Sequence, residues 1–125
     1  MKPTVLLFHV SAPKVKVIHV LAQKLDLRIV DVPESRQGCR IGDLFAARGG
    51  DCPARTPFTE EMLVLDLPGT LLNFFLQGLR RQHASVALKA AHTATNNDWR
   101  ADKLYQELCR EREAFRHGTT AQHTL

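Results

Sequence analysis

The strongest constraint in this sequence is a pattern that occurs twice. Residues 4–10, TVLLFHV, form a bulky, β-branched apolar run, followed by a helical stretch and a second run, LRIVDV, at 27–32. Residues 61–67, EMLVLDL, open the same succession again, and SVALKAA at 85–91 closes it. Short apolar runs bounded by turn residues read as strands, and apolar residues at three- and four-residue spacing read as helices. The two units start 57 positions apart (61 − 4). Two strand–helix–strand units in tandem predict an α+β fold, a ferredoxin-like βαβ-βαβ sandwich with two helices on one face of a four-stranded antiparallel sheet.

That fold puts strands one and three in the middle and strands two and four at the edges. The runs agree, because the first and third are nearly all apolar while the second and fourth carry Arg28, Asp31 and Lys89. Charges of this kind suit sheet edges. Helix one spans 13–25, with Ser11 as its cap, Pro13 in its first turn, and Val17, Ile18, Leu21 and Leu25 on one face. Helix two spans 70–83 after the Pro68–Gly69 turn, with Leu72, Phe75, Leu76 and Leu79 inward. A last helix over 99–116 turns Ala101, Leu104, Tyr105, Leu108 and Phe115 to one side, and its mixed charges read as a solvated face. It is extra to the sandwich and available to cover the second face of the sheet, as is a partner subunit. The competing architecture is a small α/β parallel sheet in which a short helix at 41–47 serves as a crossover.

Residues 33–60 break the pattern. This insert between strands two and three holds four of the seven glycines, three of the six prolines and two of the three cysteines. It reads as a long loop around one short helix with Ile41, Leu44 and Phe45, and Gly38–Arg40 and Arg48–Arg55 are expected to be its most mobile parts. The expected organisation is one globular domain over 1–116 with a flexible tail at 117–125.

Composition narrows the function. The chain is 44% hydrophobic over 125 residues, which suits one globular domain. No apolar run approaches the ~20 residues of a bilayer span, and the first run reads as a strand rather than a signal peptide. The expected location is the cytoplasm, without membrane attachment. Cys39, Cys52 and Cys109 form no CxxC pair and read as free thiols. A Cys39–Cys52 bridge is geometrically open, but a cytosolic setting disfavours it. A net charge of +4 and a pI of about 9.3 permit an acidic partner without demanding one.

Motifs exclude more than they assign. There is no nucleotide-binding glycine pattern, no zinc spacing, no GxSxG and no HExxH. No cofactor and no metal site is expected. RNA-recognition domains of ferredoxin-like fold stack bases on aromatics of strands one and three. Here MLVLDL has none and the first strand has only Phe8, which argues against nucleic acid. Ser11 and Lys14, at a helix N-terminus after His9, form a candidate anion site. Arg80, Arg81 and His83 end helix two, where cations suit the dipole without a ligand.

The densest polar stretch is LKAAHTATNNDW, residues 88–99. Its threonines, asparagines and aspartate are side chains that bind nearby backbone amides, so it reads first as a helix start, with Asp98 or Asn97 as cap. As a ligand-binding loop it would use Lys89, His92, Thr93, Thr95, Asn96 and Trp99. This block, with LYQEL after it, resembles the closing block of an uncharacterised bacterial family, domain of unknown function 3783. The matches are Leu88, Lys89, Thr93, Thr95, Asn96, Trp99, Leu104, Tyr105, Glu107 and Leu108, and TVLLFHVS and EMLVLDL are similar too. Where that family has Thr after Trp, this chain has Arg100, which moves the expected cap to Asp98. The resemblance implies no activity.

The leading expectation is a small cytosolic binding or regulatory module without catalytic activity, engaging a protein partner, a second copy of itself, or a small ligand. The alternative is an enzyme of unknown reaction that combines Lys89, His92 and Asn96 with His9. In the ferredoxin-like form His9 and His92 fall at opposite ends of the sheet; in the parallel form they share an edge.

Overall fold

The computed structural model describes residues 2–116; the tail read at 117–125 lies outside them. The elements are β1 (Thr4–Phe8), α1 (Ala12–Leu25), β2 (Arg28–Asp31), α2 (Ile41–Phe45), β3 (Met62–Asp66), α3 (Gly69–Arg81), β4 (Leu88–Ala91) and α4 (Ala101–Arg116). Single 3-10 turns lie at Glu34–Arg36 and Asn96–Asp98. The sequence therefore places every strand and every long helix within a few residues.

The pairing differs from the ferredoxin-like expectation. The sheet order is β2-β1-β3-β4. β1 and β3 are central and β2 and β4 are edges, as expected. The sheet is nevertheless mixed: β2 runs parallel to β1, β4 runs parallel to β3, and only the β1–β3 pair is antiparallel. Each strand–helix–strand unit is thus complete in itself, its helix carrying the chain back to lay the second strand beside the first. The units join through one antiparallel seam, Thr4 opposite Asp66 to Phe8 opposite Met62. The wholly parallel alternative fails at the same seam, and α2 is not a crossover between neighbouring parallel strands.

Strand side chains alternate between faces, and both faces of the central pair are covered. On one, Val5, Leu7, Leu63 and Leu65 pack with Ile18 of α1 and with Phe75 and Leu79 of α3. The two helices approach so closely at Gly78 that a Cβ there would lie 2.7 Å from Leu21 Cδ2. On the other face, Leu6, Phe8, Met62, Val64 and Leu88 meet Ile41, Phe45 and Phe58 of the insert and Leu104 and Tyr105 of α4. Helix α4 does supply the second cover, and the insert shares the task. The result is three layers, with the sheet in the middle.

Much of the insert is held by α4. The Tyr105 hydroxyl accepts the N–H groups of Thr59 and Glu60, each at 3.1 Å. Asp102 accepts the Arg55 N–H at 2.7 Å, and Arg112 forks onto Glu60. The expected mobility of Gly38–Arg40 meets a different local picture. Gly38 N–H donates to Cys52 O at 2.6 Å, Cys39 is buried, and Arg40 pairs with Arg100 in an isolated antiparallel bridge. Of Arg48–Arg55, residues 48–51 are exposed, while Cys52 N–H donates to Ser35 O at 2.8 Å and Arg55 N–H to the Asp102 carboxylate.

Candidate functional site

The polar stretch 88–99 leaves β4, makes one 3-10 turn and enters α4. Its first bonds are internal. Thr93 Oγ1 accepts the Asn96 N–H at 3.1 Å, and Asn96 Oδ1 accepts the Thr93 N–H at 2.9 Å. This is the reciprocal exchange of a capping box, with asparagine in place of the usual Glu or Gln. Asn96 Nδ2 donates to Ala91 O at 2.9 Å, and the residue is 7% exposed. The Asn96 side chain therefore ties the turn to the end of β4.

Asp98 is not the cap of α4. It is exposed and ends the 3-10 turn, three positions before the first residue of the helix. Arg100 occupies the position before Ala101, and its carbonyl accepts the N–H groups of Lys103 and Leu104 at 3.1 Å each. Its guanidinium reaches the buried Asp102 carboxylate, with Nε 3.1 Å from Oδ1, and donates to Pro53 O at 3.2 Å. Burial pushes the Asp102 carboxyl up, but Arg100 and the Arg55 amide outweigh that and hold it below the usual carboxylate range.

His92 is packed and bonded. Its ring stacks on Phe45 with centroids 4.3 Å apart, and Nε2 lies 2.7 Å from Asn97 Oδ1. Nδ1 makes a long contact of 3.5 Å with Asp66 Oδ2. Asn97 also fills the space beside Gly42, where a Cβ would lie 2.6 Å from its Oδ1, so α2 docks directly on the turn. Trp99 packs against the core, and the Lys103 ammonium sits 4.7 Å from its ring centroid. Thr95 is exposed.

Not all of the expected residues meet. Leu88 and Ala90 face the core that contains Phe45, as His92 does, whereas Lys89 alternates to the other side. The Lys89 ammonium donates to Val86 O at 2.7 Å. His9 follows Phe8, which lies opposite Met62, and Met62 pairs with Leu88 at the start of β4. His92 follows the other end of β4, so the two histidines lie at opposite ends of the sheet.

At the candidate anion site an anion is present, and it belongs to the chain. Glu61 Oε2 accepts the Ser11 N–H at 2.9 Å, and Oε1 pairs with Lys14 Nζ at 2.6 Å. Burial pushes the Glu61 carboxyl up; Lys14 and Ser11 more than offset this and keep it below its ordinary value. The residue types at 11 and 14 were the legible part; the acid that fills the site comes from 50 positions away.

Local sequence gave no sign of the Arg100–Asp102 pair with its reach to Pro53 and Arg55, or of the convergence of Arg36, Cys39 and Cys52 on the Gly50 carbonyl. Among the described residues, no group of three metal-ligating side chains is gathered and no helix is long and apolar enough to cross a membrane.

Fold and site together define a three-layer mixed α/β domain whose conspicuous polar turn is bonded chiefly within itself. Residues 61–115 match the family model described as Domain of unknown function (DUF3783). The match runs from β3 through nearly all of α4 and takes in the whole Thr93–Trp99 turn. No curated protein and no solved structure matches the chain.

Proposed function

We propose that this chain is a small binding module, without catalytic activity of its own, that docks an acidic amphipathic helix of a partner protein on the face made by α1 and α3. One observation carries the reading. These two helices bear Lys14, Lys16, Lys24, Arg80 and Arg81 and not one Asp or Glu. The same layer exposes Val20 at 51% and Phe74 at 60%, large apolar side chains left in water. Val20 shares one groove with Lys16 and Lys24, so an occupant there meets apolar surface and positive charge together.

The groove on this face has a volume of about 240 Å³ and is lined by Lys16, Val17, Val20, Leu21, Lys24 and Gln82. Lys16 and Lys24 are two helical turns apart, about 12 Å along the axis. An occupant that fits presents one apolar side chain to Val17, Val20 and Leu21, with carboxylates at about that spacing on either side. In this reading the 88–99 turn is scaffold, holding β4, α2 and α4 in register. Free thiols at Cys39, Cys52 and Cys109 accord with a reducing cytoplasm.

The test is calorimetric titration with a helical peptide carrying leucine between two glutamates at that spacing. Its counterpart has lysines in place of the glutamates. The acidic peptide is expected to bind, more weakly at higher salt, and the double variant Lys16→Glu with Lys24→Glu is expected to abolish binding. Equal binding of both peptides, indifference to the charge reversal, or self-association of the chain through this face would overturn the reading.

A further inference from the structure

Three donors converge on one carbonyl oxygen in the insert. Gly50 O accepts the Arg36 Nε–H at 3.1 Å and the Cys39 thiol at 3.4 Å, and the Cys52 thiol lies 3.9 Å away. A carbonyl offers two lone pairs, so the donors compete. The meeting is fixed by backbone: Gly38 N–H donates to Cys52 O at 2.6 Å and Cys52 N–H to Ser35 O at 2.8 Å. There is no slack at Gly38, where a Cβ would lie 2.4 Å from Pro53 O and 2.8 Å from Cys52 O. Two thiols 13 positions apart (52 − 39) are thus held against the same atom by the folded chain.

We propose that Cys39 and Cys52 form a reversible dithiol–disulfide site, oxidised by exchange with a low-molecular-weight disulfide. Cys39 is 2% exposed and Cys52 is partly exposed, so Cys52 reacts first. Its thiolate attacks one sulfur of the small disulfide RSSR, forms a mixed disulfide and expels one RS⁻. Cys39 then loses its proton to water, and its sulfur attacks the Cys52 sulfur. The Cys39–Cys52 bond forms and the second RS⁻ leaves. The two RS⁻ take up the two protons released by the cysteines, so two thiols are oxidised and one RSSR becomes two RSH.

Burial pushes the Cys39 thiol up and the Cys52 thiol beside it adds to this, while the Arg36 guanidinium works the other way. Arg36 is therefore the cation placed to steady the Cys39 thiolate during the second attack. Oxidation removes two S–H donors from Gly50 O and leaves that oxygen to Arg36, which ends the competition. The disulfide would close residues 40–51, including α2, into a covalent loop.

The experiment uses the full chain with Cys109→Ser, equilibrated with oxidised and reduced glutathione at a series of ratios, quenched with an alkylating agent and weighed intact. The expected product is about 2 Da lighter than the reduced chain, carries no alkyl group, and reverts on adding reduced glutathione. It is expected at a ratio at least ~10-fold less oxidising for the folded chain than in denaturant, because the fold raises the effective concentration of one thiol at the other. Cys39→Ser in the same background is expected to stop at one glutathione on Cys52. Two glutathione adducts per chain, disulfide-linked dimers, or the same ratio in both solvents would overturn the proposal. None of these readouts depends on a partner for α1 and α3.

Discussion

The Asp102 carboxylate accepts the backbone N–H of Arg55 at 2.7 Å across 47 positions of sequence. It sits in the first turn of α4, where unpaired helix N–H groups favour negative charge, and Arg100 supplies a countercharge at 3.1 Å. One buried side chain therefore joins the insert to the helix that covers the sheet. Asp102→Ala leaves Arg100 without its acid and the Arg55 amide without its acceptor. The Arg100 side chain is 30% exposed, so its charge can return to water, and the substitution is expected to cost about 1–3 kcal/mol. Asp102→Asn keeps the shape and an acceptor for the Arg55 N–H and is expected to cost less than the alanine change, about 0.5–1.5 kcal/mol. Urea unfolding of both variants checks the order.

The same carboxyl sets an acid dependence. Asp102 and Glu61 both lie below their ordinary values when folded, and in the unfolded chain they titrate near about 3.9 and 4.3. A depressed folded pKa contributes stability that is complete above the unfolded value and is lost as pH falls through the folded one. Stability is thus expected to fall below about pH 4, with proton uptake on unfolding. In Asp102→Asn the slope in that window is expected to flatten. An unchanged slope, from urea midpoints measured at several pH values, would remove Asp102 as a source.

The Lys14–Glu61 pair joins the start of α1 to the start of β3, and both side chains are partly buried. Either alanine substitution alone removes the other residue's countercharge, though Lys14 keeps Ser85 O and Glu61 keeps the Ser11 N–H. The two together are expected to cost less than the sum of the singles, with a coupling of about 0.5–3 kcal/mol. A double-mutant cycle by thermal unfolding measures it, and simple additivity would mean that Glu61 is not what satisfies Lys14.

How much of this was legible in the sequence divides along a physical line. Local pattern placed β1 to β4, α1, α3 and α4, because periodicity is a property of each segment. Pairing is not. The runs TVLLF and MLVLD are buried on both sides, and a strand apolar on both faces accepts a parallel or an antiparallel neighbour equally well, so the β1–β2 and β3–β4 pairings could not be read. The insert misled for a related reason. Its glycines and prolines look loose, yet its order comes from Asp102, Tyr105 and Arg112, 45 to 52 positions away. In the candidate site, the capping chemistry of the turn was legible in type but assigned to Asp98. The T-x-x-N spacing of Thr93 and Asn96 held the answer. Glu61 at the Ser11–Lys14 site was hidden by its distance along the chain.

Three helices end on non-glycine residues in the left-handed region: Asp26 at φ 57° after α1, Ala47 at φ 55° after α2 and His83 at φ 54° after α3. In each, the following N–H closes back on the helix, Leu27 to Ala22 O, Arg48 to Asp43 O and Ala84 to Leu79 O. This is the Schellman closure that glycine makes with least strain. His83→Gly is expected to stabilise by about 0.5–1 kcal/mol. A lower melting temperature in the variant would show that the His83 side chain contributes more than its backbone costs.

Asn96 and Asp98 separate the two accounts of the polar turn. If Asp98 capped α4, Asp98→Ala would cost about 0.5–2 kcal/mol. The observed geometry leaves it exposed in the preceding turn, so its removal is expected to stay within about 0.5 kcal/mol. Asn96 is buried and bonded to Thr93 twice and to Ala91 once. Asn96→Ala would strip the Thr93 N–H and the Ala91 carbonyl of their partner; both residues are exposed, so water can replace part of the loss, and the cost is expected to be about 1–2 kcal/mol, that of a lost capping interaction. Thr93→Ala removes the other half of the exchange and is expected to cost about 1 kcal/mol. Because the two side chains serve one capping box, the Thr93→Ala, Asn96→Ala pair is expected to be less than additive. Urea midpoints of Asp98→Ala, Thr93→Ala, Asn96→Ala and the double variant give the whole pattern. A large loss at Asp98 with little at Asn96 would return the cap to Asp98 and undo the account of the turn given above.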